Sequence, residues 1–99
     1  MSETYVYGGV ANLFKGIEAV GGDLYLTNHA LIHRPHKMNI QSGETKIDLS
    51  NITEVTTRNT FFIVPNGLHV KTTDGKSYKL VVKDRDSWMD KINSLRKTQ

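Results

Sequence analysis

The stretch "LHVKTTDGKSYKLVVKDRDSWMDKINSL", residues 68–95, changes its period partway along, and that change decides the fold. Leu68 and Val70 alternate with His69 and Lys71, and Tyr78, Leu80 and Val82 share one face of the next run. Period two is the signature of half-buried strands. Asp74-Gly75 between the two runs is the strongest hairpin signal in the chain, because such pairs accept the positive φ of a tight turn. Beyond Lys83 the spacing lengthens. Trp88, Ile92 and Leu95 fall at i, i+4, i+7 with Met89 beside them, one apolar stripe of an amphipathic helix. Asp84 or Asp86 can cap its first N–H groups. Arg96 and Lys97 suit the negative end of its dipole. A helix this short is marginal alone. Its Trp88 face must therefore cover something, and the open end of a β-barrel or sandwich is the expected partner.

Working upstream, "ITEVTTRN" (52–59) follows a corner at Asn51 and directs Ile52 and Val55 inward. "TKIDLS" (45–50) alternates with Ile47 and Leu49 inward. "ALIHRPH" (30–36) returns against "DLYLTN" (23–28) through a turn at Asn28 and His29, since Asn tolerates left-handed backbone angles. "ANLFKGIEAV" (11–20) reads as a first strand that ends in the glycine turn "GGD" (21–23). "QSGE" (41–44) and "PNG" (65–67) are further turns. Residues 1–8 are expected as a loosely ordered lead-in and residues 9–99 as a single domain. The sum is a mainly β fold: a bent antiparallel seven-stranded barrel or sandwich capped by one C-terminal α-helix.

Composition narrows the function classes. A chain of 99 residues fits one compact domain with a modest core and little room for a deep catalytic cleft. There is no cysteine, which excludes disulfide frameworks and thiolate zinc sites. No run approaches the eighteen or so apolar residues of a membrane span. "MSETYVYGG" has neither the basic start nor the apolar middle of a signal peptide. The expectation is a cytoplasmic protein, with peripheral membrane contact allowed. Lys and Arg number 13 against 10 for Asp and Glu, a formal charge of +3. That surplus allows anionic partners without demanding them.

Taken in order, "GGDLYLTNHALIH", "TKIDLSNITEV", "PNGLHVKTTDGKSYKLVV" and "DSWMDKI" resemble the GRAM domain family, a relative of the pleckstrin-homology (PH) fold. The resemblance runs from about residue 10 to residue 95. It rests on Gly-x-Leu-x-Leu-Thr-x-x-x-Leu-Ile, Ile-x-Leu-x-x-Ile, Gly-Leu-x-Val, Asp-Gly and a late Trp-x-x-x-Ile. It implies a seven-stranded bent barrel with a capping helix, and a binding module for lipid head groups or protein partners. Two positions depart from the family pattern: Ala30, where members commonly carry Arg, and His33, where they carry an aromatic. A free-standing copy of such a domain is expected of a bacterial protein.

Candidate chemistry is sparse. His29, His33 and His36 stand at i, i+4, i+7, which on a helix would gather three imidazoles. Pro35 argues against a helix there, and on a strand His33 and His36 face opposite ways, so no metal site is expected. Gly-x-Ser-x-Gly, His-Glu-x-x-His and phosphate-binding glycine loops are all missing, so no catalytic residue and no cofactor is assigned. PH domains that bind phosphoinositides often use basic residues between the first two strands. Here "EAVGGDLY" (18–25) offers Glu18 and Asp23 and no cation. Arg34, His36 and Lys37 in "HRPHK" form the best basic cluster and are the candidate anion-binding residues. Phe61 and Phe62 in "TFFIVPNG" (60–67) cannot both face inward on a strand, and are the candidate interface. The function expected is non-catalytic binding of a protein partner or of anionic lipid head groups. The alternative is a weak nucleic-acid or acidic-polymer binder, and a small metal-dependent enzyme is the least expected.

Overall fold

In a computed structural model of the chain, residues 3–37, 43–60 and 64–99 are described. They form seven strands and one α-helix: β1 (Tyr5–Lys15), β2 (Glu18–Thr27), β3 (Ala30–Pro35), β4 (Thr45–Asp48), β5 (Ile52–Thr60), β6 (Val64–Thr72), β7 (Ser77–Val82) and α1 (Arg85–Arg96). One turn of 3-10 helix, Leu49–Asn51, joins β4 to β5. The strands make one antiparallel sheet in the order β4-β3-β2-β1-β7-β6-β5. Curling brings the chain after β4 against the β6–β7 turn, where the Thr73 N–H donates to the Asn51 carbonyl at 2.8 Å.

Alternation puts one face of every hairpin inside. Leu13, Leu24, Leu26, Leu31, Ile47, Leu68, Val70, Leu80 and Val82 are all buried in one cluster. Ile52 and Val55 both join it although they are three apart. A register shift between Ile52 and Glu54 supplies the extra residue that restores the inward face. The helix closes the cluster with Trp88 and Ile92 buried and with Met89 and Leu95 packed against it. Trp88 meets Tyr7 edge to face, ring centroids 4.6 Å apart, a geometry the aromatic quadrupole favours. Asp84 turns the chain from β7 into α1 with a left-handed backbone (φ 54°) and makes no side-chain cap; its carbonyl accepts the Trp88 N–H at 3.1 Å.

Two sequence expectations need correction. The first hairpin does not turn at Gly21-Gly22; both lie inside β2. The turn is Gly16-Ile17, between the register pair Lys15 and Glu18. Gly22 serves close approach instead: a side chain there would strike the Arg34 carbonyl and come within 2.8 Å of the Pro35 Cα. Pro65-Asn66-Gly67 is not a turn either, because β6 runs straight through it. The first described residues bond to the sheet. Glu3 accepts from Thr27 Oγ1 (2.6 Å) and from Lys46 Nζ (3.0 Å). Thr4 exchanges two bonds with Asn28, and Tyr5–Gly8 belong to β1.

Candidate functional site

Antiparallel pairing sends the β1–β2 turn and the β3–β4 connection to the same end of the sheet. They touch there: Lys15 Nζ lies 3.4 Å from the Gly43 carbonyl. Gly16 takes φ +66° at the first central position of a two-residue turn, the position where type II′ hairpins need glycine. The turn therefore projects Ile17 at its tip, with no packing partner; its relative exposure is 102%. An isoleucine held fully in water at a hairpin tip, with a lysine two residues before it, is the most apolar exposed point among the described residues.

The three basic candidates lie at the end of β3, opposite Gly21–Asp23 of β2 and several residues from the turn, and are not equally available. Arg34, on β3, pairs with Glu44 (Nε to Oε2 3.3 Å) and its guanidinium lies 5.4 Å from the centre of the Tyr25 ring. His36 continues the β2–β3 ladder through its N–H to the Gly21 carbonyl, and its Nε2 stands 3.1 Å from Asp23 Oδ1. Lys37 is exposed and has no carboxylate partner among the described residues. The local field is thus mixed: Glu18, Asp23 and Glu44 interleave with Lys15, Arg34 and Lys37. Exposed pairs of this kind exchange readily with other anions because each is worth little. Phe61 and Phe62 lie outside the described residues.

The histidines do not converge. His29 occupies the β2–β3 turn, His36 is on the surface, and His33 is buried at 2% exposure. His33 Nε2 is 3.1 Å from the Ala11 carbonyl, which fixes the proton on that nitrogen, and its Nδ1 is buried without a partner. Burial holds the His33 pKa below the ordinary 6.5, against the opposing pull of the Ala11 bond. His69, read as outward-facing, is buried as well.

Sequence reasoning missed Lys15 and Ile17 because it placed the turn at the glycine pair. The pairing symmetry held the signal. Leu13 faces Val20 across the hairpin, so the midpoint of the inward residues falls at Gly16-Ile17.

No protein-family model matches the chain, and no curated protein matches it. Solved structures do. The chain is similar to the C-terminal domain of an unknown protein from Leishmania infantum, with a TM-score of 0.82 and 19% identity over 95% of this chain and 84% of that one. It is similar to the N-terminal PH domain of Vps36 at a TM-score of 0.75 and 14% identity, covering 97% of this chain and 80% of that one. A third, the Slm1 PH domain solved with inositol-4-phosphate, has a TM-score of 0.66 and 14% identity over 94% of each chain. The fold is therefore PH-like, a seven-stranded antiparallel sheet with one C-terminal helix. These comparisons do not single out the GRAM family and give no support to a bacterial source. Among the described residues no helix is long and apolar enough to cross a membrane.

Proposed function

We propose that this chain is a non-catalytic binding module, of the GRAM branch of the PH-like fold, that docks reversibly on anionic membrane surfaces through its β1–β2 tip. The observation that carries the reading is Ile17, fully exposed at the hairpin tip beside Lys15. Moving an isoleucine side chain out of water is worth about 1.5–3 kcal/mol. A lysine near an anionic bilayer adds about 1 kcal/mol. Ile17, Lys15 and Lys37 together reach about 3.5–5 kcal/mol, which corresponds to roughly millimolar binding and so to transient peripheral contact. The Slm1 PH domain, solved with inositol-4-phosphate, shares the fold and supports a head-group ligand here.

Vesicle co-sedimentation tests the reading, using phosphatidylcholine with and without phosphatidylserine. The chain is expected to pellet only with the anionic vesicles. Ile17→Ser and Lys15→Glu should each release it. Binding that survives both changes would overturn the proposal.

A further inference from the structure

We infer that the N-terminal half of β1 is a pairing edge for a second copy of this chain, and that two copies join by antiparallel β1–β1 pairing about a two-fold axis at Gly8. β7 ends at Val82, whose partner is Ala11. The stretch Tyr5–Val10 therefore has a strand neighbour, β2, on one side only. On its other side lies a cleft of about 720 Å³, bounded further by Val82, Asp84 and Trp88. A register shift between Tyr5 and Tyr7 ends the regular edge at Val6.

The composition of this edge is unusual. Exposed strand edges are ordinarily guarded by charges. β4 and β5, the two ends of the sheet, follow that rule with Lys46 and Asp48 and with Glu54 and Arg58. From Thr4 to Phe14 the chain has no charged residue. Tyr5, Val6 and Val10 are exposed, three of the four large hydrophobic residues that are so among those described. The fourth, Ile17, lies beyond the edge, so the inference is independent of the membrane reading.

Register and charge select a second copy as the occupant. Opposite residues of an antiparallel pair share a face. Pairing about Gly8 sets Val6 against the partner's Val10, twice, and Tyr7 against the partner's Gly9. Gly9 leaves bare backbone over the capping helix: a Cβ there would sit 3.6 Å from Trp88 Cζ2. The partner's Tyr7 covers that gap, as an aromatic covers a glycine across strands. An axis at Gly9 would set Tyr7 against Ala11, which β7 already holds. An axis at Tyr7 would set Val10 against Thr4, outside the strand. One register therefore uses the whole free edge. The cleft carries one charge of each sign, Lys83 and Asp84, and so favours neither an acidic nor a basic peptide. It accepts an uncharged strand of matching length, and this chain carries one. The paired stretch is short, so the contact falls below the roughly 1,200 Å² of a standard interface and the dimer is weak and reversible.

Sedimentation equilibrium of the full chain over a range of concentrations tests the inference. The expected result is a monomer–dimer equilibrium with nothing larger, because a two-fold contact closes on itself. Val6→Lys and Val10→Lys should each weaken the dimer about tenfold or more, since each puts a charge on the edge. Val6→Glu combined with Val10→Lys sets opposite charges against each other twice, and should recover at low salt the dimer that Val10→Lys alone loses. Both valines are exposed, so the variants keep the fold, and an unchanged denaturation midpoint in dilute solution verifies this. Ile17→Ser should leave the dimer intact. The inference is overturned by a chain that stays monomeric up to about 1 mM, by association indifferent to the valine changes, or by oligomers larger than two. Failure of the paired charges to recover the dimer, or its loss in Ile17→Ser, would overturn it as well.

Discussion

The helix-sealed side of the barrel and the β1–β2 tip treat their apolar residues in opposite ways. On the sealed side Trp88 is buried, touches Tyr7, and closes the core with Ile92. At the tip Ile17 touches nothing and stands entirely in water. The first arrangement stabilises the fold. The second contributes nothing to folding, because the side chain is as hydrated in the native state as in the unfolded one. Apolar surface that folding leaves unburied remains available to a partner.

The comparison can be broken in graded steps. The largest effect is expected from Trp88→Ala, which removes the keystone of the sealed side and costs about 3–5 kcal/mol. Chemical denaturation would show it as a large fall in the midpoint, and a fall under 1 kcal/mol would deny the helix its sealing role. Next comes Gly22→Ala. The β3 backbone occupies the space its Cβ needs, so overpacking should cost about 1–3 kcal/mol in the same measurement. Substituting Gly21, in the same strand, should be milder, because the only near atom is the Asn12 side-chain oxygen at 3.2 Å.

Acid gives the third step. The folded pKa of His33 lies below the unfolded value of 6.5, so the unfolded chain binds the proton more readily. The stability it contributes is complete above pH 6.5 and is lost as pH falls through the lowered folded value. A proton on Nδ1 would also find no acceptor in the core. Denaturation midpoints should therefore drop on acidification below neutrality, and His33→Gln should flatten that slope. Glu3 and Asp74 act later: both pKa values are lowered, by the Thr27 and Thr72 hydroxyls first, so their share is lost only as pH falls below about 4.5 and 3.8. The smallest stability effect belongs to the tip. Ile17→Ser should leave the midpoint within about 0.5 kcal/mol while abolishing sedimentation with anionic vesicles. A variant that lost both would show that the tip is part of the fold after all.

Most of the architecture was legible because periodicity survives folding. The alternation in Tyr78, Leu80 and Val82, and the helical stripe of Trp88, Ile92 and Leu95, follow from which face meets the core. The errors arose where one residue type has two physical uses. Glycine marks turns, but it also marks close backbone approach, and Gly22 is the second case. Proline and glycine in "PNG" favour a turn, yet pairing with β5 and β7 keeps Gly67 extended. The site was less legible than the fold. Arg34 and His36 were visible as cations, but their partners Glu44 and Asp23 are brought to them by register and loop path. Arg96 read as a dipole residue; its bond to Thr53 spans 43 positions and no local pattern encodes it.

Asn28 joins features from both extremes of the chain. Thr4 bonds to it from one side, and Gln99 Nε2 donates to its carbonyl at 3.0 Å from the other. The two ends of the fold thus leave from one spot. A short linker could connect Gln99 to Glu3, and the covalent circle could be reopened at Gly16-Ile17 without touching the core. By the same geometry the whole unit can be spliced into a surface loop of a host protein, entering and leaving through one narrow gap. Architecturally it is a module that plugs in at a single point.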